Sequence, residues 1–200
     1  TVAFGSIWLA PRMGEFADEY PEIEAHLILH DDELDLGMRD ADVAIRMYPP
    51  HQPDLVSRLV FEIHTQVYAA PAYIAKRGAP MTVDDLKSHR LVIYGGDAKP
   101  PIPQINWLSD LCADAGSAAC QTLMVNNIYG IARAVRAGVG IAALPSYVAA
   151  DAPDLVRVLT DLEGPKVSAH FVYAEEMRNS RRISAFRDFV LRKVAEGAAA

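Results

Sequence analysis

Two polar clusters stand where a strand pattern gives way to a helix pattern, the place from which backbone N–H groups can hold an anion. The first is Ser6, followed by Ile7 and Trp8. The Ser6 hydroxyl suits a helix N-cap, and the amides of Ile7 and Trp8 could equally receive a carboxylate. The second is Asn126 with Asn127, one of which is expected to cap the helix that follows. Arg46 ends the run DVAIRM and could bring charge to an acidic ligand or pair with a neighbouring carboxylate. Tyr94, Gly95 and Gly96 follow a further strand pattern, where glycine allows a ligand close to the backbone or simply makes a turn. Leu144 and Pro145 could wall a pocket or serve strand-to-helix packing. His64 could touch a cleft from a long strand, although a lone strand histidine is usually structural.

Other chemistry is argued against by spacing. The six histidines show no HExxH arrangement, and His26 and His30 are too far apart along an extended strand to chelate together. DDELD lacks the glycine and alternating oxygens of a calcium loop and reads as helix-start charge. Neither a Gly-x-Ser-x-Gly elbow nor a phosphate loop is present, so no catalytic acid, base or nucleophile, metal or cofactor is expected. Cys112 and Cys120, in CADAGSAAC, match no zinc spacing and are expected to be thiols in a reducing cytoplasm.

A chain of 200 residues, 51% of them hydrophobic, can bury one sizeable core or two small ones. Its net charge of -7 argues against a nucleic-acid grip, which needs clustered Lys and Arg. No apolar run approaches membrane-spanning length and no export signal is visible, so no membrane partner is expected. The abrupt TVAFG start suggests that residues upstream have been removed.

The elements that must position these groups follow in order. The pattern predicts a strand to Gly5, a helix with Leu9, Met13, Phe16 and Tyr20 on one face, and a strand with Ile23, Ala25, Leu27 and Leu29 inward. A short acidic segment and the strand Asp42 to Met47 complete β-α-β-α-β order, which implies a parallel sheet with ligands beyond its carboxyl edge. The stretch from Leu55 to Pro71 is long enough to leave one lobe for another, and the first crossing is placed near Ala70. The second lobe is expected to hold a helix at Ala72 to Lys76, a helix opened by Thr82 with Asp85, and strands RLVIY and QTLMV. A helix through Ile128, Ile131, Ala132 and Val135, ending at Gly138, follows them. Then come GIAALP, a short helix from Pro145, and LVRVL, while Trp107, Leu108 and Leu111 are read as core. SAHFVYA is expected to return to the first lobe, and Ser180 to open a closing helix with Ile183, Phe186, Val190 and Val194 inward. The first lobe is therefore set at 1–70 plus 172–200 and the second at 71–171.

Four segments in this order resemble the effector-binding domain of LysR-type bacterial transcription regulators. They are LAPRMGEFADEYPEIEAHL, DADVAIR, VYAAPAYIAKRGAPMTVDDLKSHRLV and VNNIYGIARAVRAGVGIAALPSYVA, and they cover nearly the whole chain. The resemblance implies the type II periplasmic-binding-protein fold, α/β with two Rossmann-like lobes about a hinged cleft. It also implies an effector between the lobes, with at least one of Asn126 and Asn127 facing it. A winged helix-turn-helix outside this chain would reach promoter DNA, and the regulator would be a homodimer or homotetramer. The implied antiparallel dimer joins the helix around Arg12 to Glu19 to the partner's helix around Ile128 to Arg136, where Glu15, Asp18 and Glu19 could face Arg133 and Arg136. Two departures from the family pattern are a shorter acidic segment, HDDELDLGMRD, and Asn127 where Asp is common. A small carboxylate or polar metabolite is the expected effector. A solute-binding protein of the same fold is the first rival reading, and an enzyme on a two-lobed fold the second.

Overall fold

One strand, β2 (Leu55–Ala69), runs through both halves of the molecule and changes neighbours part-way along. The computed structural model describes residues 1–32, 36, 40–95, 100–102, 104–114 and 120–198. From Leu55 to His64, β2 pairs antiparallel with β7 (Lys166–Ala174), whose other edge takes β1 (Ala44–Arg46). From Thr65 onward, β2 pairs instead with β5 (Ala142–Pro145) and then β6 (Val156–Arg157). The change falls between His64 and Thr65, upstream of Ala70, and β7 joins β2 from Lys166, ahead of residue 172. A continuous apolar alternation shows that a strand persists, but not where its neighbour is exchanged.

The second half holds the parallel arrangement. β3 (Arg90–Tyr94) and β4 (Gln121–Val125) run parallel from Arg90↔Gln121 to Tyr94↔Val125, and a parallel bridge Leu91↔Ile141 ties them to the start of β5. Around them lie α2 (Pro71–Arg77), a 3-10 turn at Val83–Ser88, α3 (Trp107–Asp114), α4 (Ile128–Arg136) and α5 (Ser146–Asp151). Thr82 N–H donates to Asp85 Oδ2 at 2.8 Å, which closes the start of the 3-10 turn as the sequence implied. The α4 stripe of Ile128, Ile131, Ala132 and Val135 is buried, and Gly138 follows with φ of 73°. Leu111 is exposed, whereas its neighbour Cys112 is buried, so α3 turns a face one residue further round than the apolar reading assigned.

The first half departs from the expected parallel sheet. Thr1 to Gly5 form no strand. The chain is helical from Val2, passing through a π-helical run at Phe4–Leu9 and a 3-10 turn at Ala10–Arg12 into α1 (Met13–Glu19). Two features of the sequence favour this outcome. Phe4 stacks on Trp8 at 5.0 Å and meets Phe61 and Tyr147, a four-residue spacing that rewards a helix rather than alternation. Pro11 has no N–H to give, and the widened and then tightened turns around it absorb the missing bond. Residues 23–30 are extended but enter no ladder among the described residues, so every described strand pair of this half is antiparallel. The acidic segment after Asp32 lies mostly outside the described residues.

The closing helix α6 (Arg181–Ala198) buries Ile183, Phe189 and Val190 against Phe16 and Phe171. Phe16 meets Phe186 and Phe189 edge-on at 5.3 and 5.2 Å. Outside this contact, Glu15 pairs with Lys193 and Glu19 with Arg192, so α1 and α6 are locked by both faces of their seam.

Candidate functional site

At the junction where β2 changes neighbours, Thr65 Oγ1 donates to Pro165 O at 2.9 Å and Gly164 N–H donates to Thr65 O at 3.1 Å. These bonds pin the outgoing strand to the returning one. A Cβ on Gly164 would collide with Thr65 and Trp107, so only glycine lets the two pass this closely. A small cavity of about 20 Å³ sits here, walled by Ala3, Asp31, Met47 and Ile63 from one half and by Ile128, Pro145 and Tyr147 from the other. A larger cavity of about 420 Å³ opens in the first half, between residues 23–32 and residues 40–48, with Phe4, Leu9 and Phe186 beneath it.

Of the residues singled out by sequence, Arg46 lines the larger space and Pro145 the smaller, and the other described ones line neither. Ser6 is not a cap: it lies inside the π-helical run, together with Ile7 and Trp8, so their amides are not a free helix end. The start of that helical run is Val2, whose N–H donates to Asp31 Oδ1 at 2.9 Å. A carboxylate of the chain itself thus takes the position expected for an anion. Arg46 lines the larger cavity; it is buried and its Nη1 donates to Gln52 Oε1 at 3.3 Å. His64 is exposed, because strand alternation sends Ile63 and Thr65 inward on either side of it.

In the second half, Tyr94 is held by Asn106, whose Oδ1 accepts from Tyr94 N–H and whose Nδ2 donates to Tyr94 O. The Tyr94 hydroxyl is buried with no partner among the described residues. Burial first, then the nearby carboxylates of Asp31 and Asp32, raise its pKa above the usual tyrosine value. Gly95 N–H donates to Val125 O at 3.1 Å, and a Cβ there would meet Met124 at 2.6 Å; Gly96 lies outside the described residues. Asn127 is the N-cap of α4, its Oδ1 accepting from Gly130 N–H at 2.6 Å, and its Nδ2 donates to exposed Asn126 Oδ1 at 3.2 Å. Leu144 is wholly buried core, while Pro145 walls the small cavity and pairs with Thr65.

Asp31, Thr65 and Tyr147 were not singled out from sequence. Asp31 follows the apolar run 23–29 at its carboxyl end, where a ligand-facing group belongs, and that position was the available signal. Tyr147, directly after Leu144-Pro145-Ser146, has its pKa raised by burial and, secondarily, by Asp31. Asp31 also keeps Oδ2 buried without a partner among the described residues. The Asp31 carboxylate therefore acts on two tyrosines of the other half, Tyr147 beside it at the junction and Tyr94 at the end of β3, whose hydroxyl is itself unpartnered among the described residues. Among the described residues no group of His, Cys, Asp and Glu could hold a metal ion.

Comparison with known proteins agrees with this architecture. A transcription regulator of the HTH type from Xanthomonas campestris is 30% identical over 196 residues, covering 96% of this chain and 57% of the relative. An HTH-type regulator from Haemophilus influenzae is 28% identical, covering 85% of this chain and 59% of that protein. The chain thus spans less than two thirds of the length of these curated relatives. Among solved structures, CrgA, a LysR-type regulator from Neisseria meningitidis, superposes with a TM-score of 0.77 at 19% identity, covering 95% of this chain and 65% of that one. The effector domain of AmpR from Pseudomonas aeruginosa superposes with a TM-score of 0.73 at 23% identity, covering 98% of this chain and 93% of that one. These likenesses establish the two-lobed fold. The family model described as the LysR substrate binding domain matches residues 1–195, and this chain belongs to that family.

Proposed function

We propose that this chain is the small-molecule sensor of a LysR-type transcription regulator, with the effector held where the lobes meet. The observation that carries the reading is the junction itself: one strand serves both lobes, and Asp31 from the first and Tyr147 from the second wall the small cavity beside it, with burial and then the Asp31 carboxylate raising the pKa of Tyr147 and of Tyr94. The first lobe takes the residues up to His64 and from Lys166 onward, and the second those between. A ligand that prefers one degree of closure shifts the balance of lobe arrangements, and the shift is transmitted to DNA-binding domains elsewhere in the regulator. Promoter DNA is the partner of those domains, and the regulator works in the cytoplasm; no described helix is long and apolar enough to cross a membrane.

A small carboxylate remains the first effector class to test, entering by displacing Asp31 from Val2 N–H, with Tyr94 or Tyr147 donating to the polar remainder. Asn127 acts at one remove, by fixing the start of α4 beside Ile128. The relatives are transcription regulators, which favours sensing over solute delivery or catalysis.

Assembly as an antiparallel dimer is supported by apolar exposure more than by charge. Ile28 and Leu29 in the first lobe, and Leu123, Met124 and Tyr129 in the second, are exposed. Glu15, Glu19 and Arg136 are instead engaged within the chain, Arg136 with Asp154 at 2.9 Å.

A thermal-shift series with organic acids, amino acids, sugars and aromatic metabolites tests the sensing site. A ligand at about 100 times its Kd should raise Tm by roughly 5–10 °C. Asp31→Asn and Tyr147→Phe should each weaken that response, and Ser6→Ala should leave it intact. An unchanged response in both cavity variants would move the site elsewhere.

A further inference from the structure

Cys112 and Cys120 are bonded to one another, contrary to the free thiols expected from their spacing. Their Cα atoms lie 6.7 Å apart, within the span of a disulfide. Cys112 is buried on α3, whereas Cys120, the residue before β4, is half-buried. The bond therefore ties the far end of α3 to the residue just before β4.

Both elements lead to the junction. The residue before α3 is Asn106, which grips the backbone of Tyr94. β4 pairs with β3 alone among the described residues, and Gln121 to Met124 are exposed. At the other end of β4, Val125 O accepts from Gly95 N–H, and Asn126 and Asn127 follow directly. An edge strand fastened at its start by a covalent bond thus ends on the backbone that positions Gly95 and the α4 cap.

We propose that Cys112 and Cys120 form a redox-responsive clasp, closed and opened by exchange with a low-molecular-weight disulfide and its thiol, that sets how firmly β4 is held to β3. In closing, the Cys120 thiolate attacks one sulfur of the small disulfide, and one small thiolate leaves. The Cys112 thiolate then attacks Cys120 Sγ, forming the Cys112–Cys120 bond and expelling the second small thiolate. Two electrons pass from the protein thiols to the small disulfide, and the two protons released by the cysteines end on the two thiols produced. Opening is the reverse, with entry at half-buried Cys120. When the clasp is closed, local opening of β4 must proceed with its start fixed. When it is open, the five-residue parallel ladder and the contacts with α4 hold the strand. The clasp stands apart from effector sensing and does not rest on the reading above.

The test equilibrates the 200-residue chain in mixtures of glutathione and glutathione disulfide, then alkylates and weighs it, with amide hydrogen exchange followed in parallel. Both thiols should vanish together at a glutathione ratio independent of protein concentration. In the reduced protein, amides from Thr122 to Asn127 should exchange at least about tenfold faster than in the oxidised one, and Tm should fall by roughly 5–10 °C. Cys120→Ser, at the half-buried position, should exchange like the reduced protein and ignore glutathione disulfide; Cys112→Ala should do the same. Persistent free thiols, glutathione adducts in place of the internal bond, or a bond that leaves β4 exchange unchanged would each overturn the clasp. None of these measurements uses an effector, so failure of the clasp and failure of the sensing site are separately visible.

Discussion

Asn106 satisfies both backbone groups of Tyr94 at once, its Oδ1 2.9 Å from Tyr94 N and its Nδ2 2.8 Å from Tyr94 O. The side chain behaves as a one-residue neighbour strand at the end of β3, on the path from α3 to the junction. Asn106→Ala leaves a donor and an acceptor in a partly buried place, and a loss of roughly 2–3 kcal/mol is expected in urea denaturation. A loss under about 0.5 kcal/mol would mean that water replaces the amide without penalty.

The glycines of RAGVGIAALP do two different jobs. Gly138 holds φ of 73° just past α4, whereas Gly140 lies so close to Arg90 that a Cβ would enter the space of its carbonyl oxygen. Gly138→Ala should cost about 1 kcal/mol through backbone strain. Gly140→Ala forces apart the Arg90–Ile141 contact, where Ile141 N–H donates to Arg90 O at 2.9 Å, and should cost roughly 2–3 kcal/mol. Thermal and urea denaturation of the two variants would separate strain from collision, and equal losses would contradict that division.

This contrast also shows how far the sequence could be read. The α4 stripe, Gly138 and the strand order of the second lobe were legible because each is a local pattern: a 3.6-residue period, a helix stop, a β-branched run. The helical start at Val2 was not, because Thr1 to Gly5 are compatible with a strand until the contacts of Phe4 with Trp8, Phe61 and Tyr147 are known. Phe189, wholly buried against Phe16, widens the α6 face beyond the stripe of Ile183, Phe186, Val190 and Val194. Caps and glycines announce themselves by type and position, which is why Asn127 is legible as a helix cap and Gly95 as a point of close approach. Asp31 and Tyr147 matter through contacts between distant segments, which no local spacing encodes. The Cys112–Cys120 bond is of the same kind.

Caps separate Asn127 from Ser6. Asn127→Ala removes the acceptor of Gly130 N–H and should cost about 1 kcal/mol, while Asn127→Asp keeps that acceptor and adds a favourable charge at the helix start. Ser6→Ala, inside the helical run, should change stability by less than about 0.5 kcal/mol. A larger loss at Ser6 than at Asn127 would reverse this assignment.

Dimer formation should respond to apolar surface. Met124 is 63% exposed on β4, and Leu29 is exposed at the edge of the other lobe. Leu29→Lys and Met124→Lys should each weaken self-association at least about tenfold in sedimentation across a concentration series, with little loss of monomer stability. Unchanged association in both would place the seam on another surface.

Acid should weaken the fold in a window set by histidine before any carboxylate is reached. His89 is buried, and desolvation holds its pKa below the ordinary value of about 6.5. Tyr73 Oη accepts from Arg90 N–H at 3.0 Å and lies 3.2 Å from His89 Nδ1, a hydrogen bond whose donor is set by the tautomer of the ring. His170, beside Ser57 Oγ at 3.1 Å, is likewise lowered by burial. A group whose folded pKa is depressed binds its proton more tightly in the unfolded chain. The stability it contributes is therefore fully present above pH 6.5 and declines as pH falls through and below that value. The slope is at most about 1.4 kcal/mol per pH unit for each histidine. Glu19, lowered chiefly by its hydrogen bond with Arg192, and Asp85, lowered by backbone N–H groups of Thr82 and Met81, add their losses only at more acidic pH. Urea midpoints at pH 7.5, 6.5, 5.5 and 4.5 should fall steadily below the first two values, and His89→Gln should flatten the upper part of that decline. An identical slope in the variant would show that His89 does not titrate on unfolding, and that His170 and the Thr1 amine, which burial also lowers, account for the window.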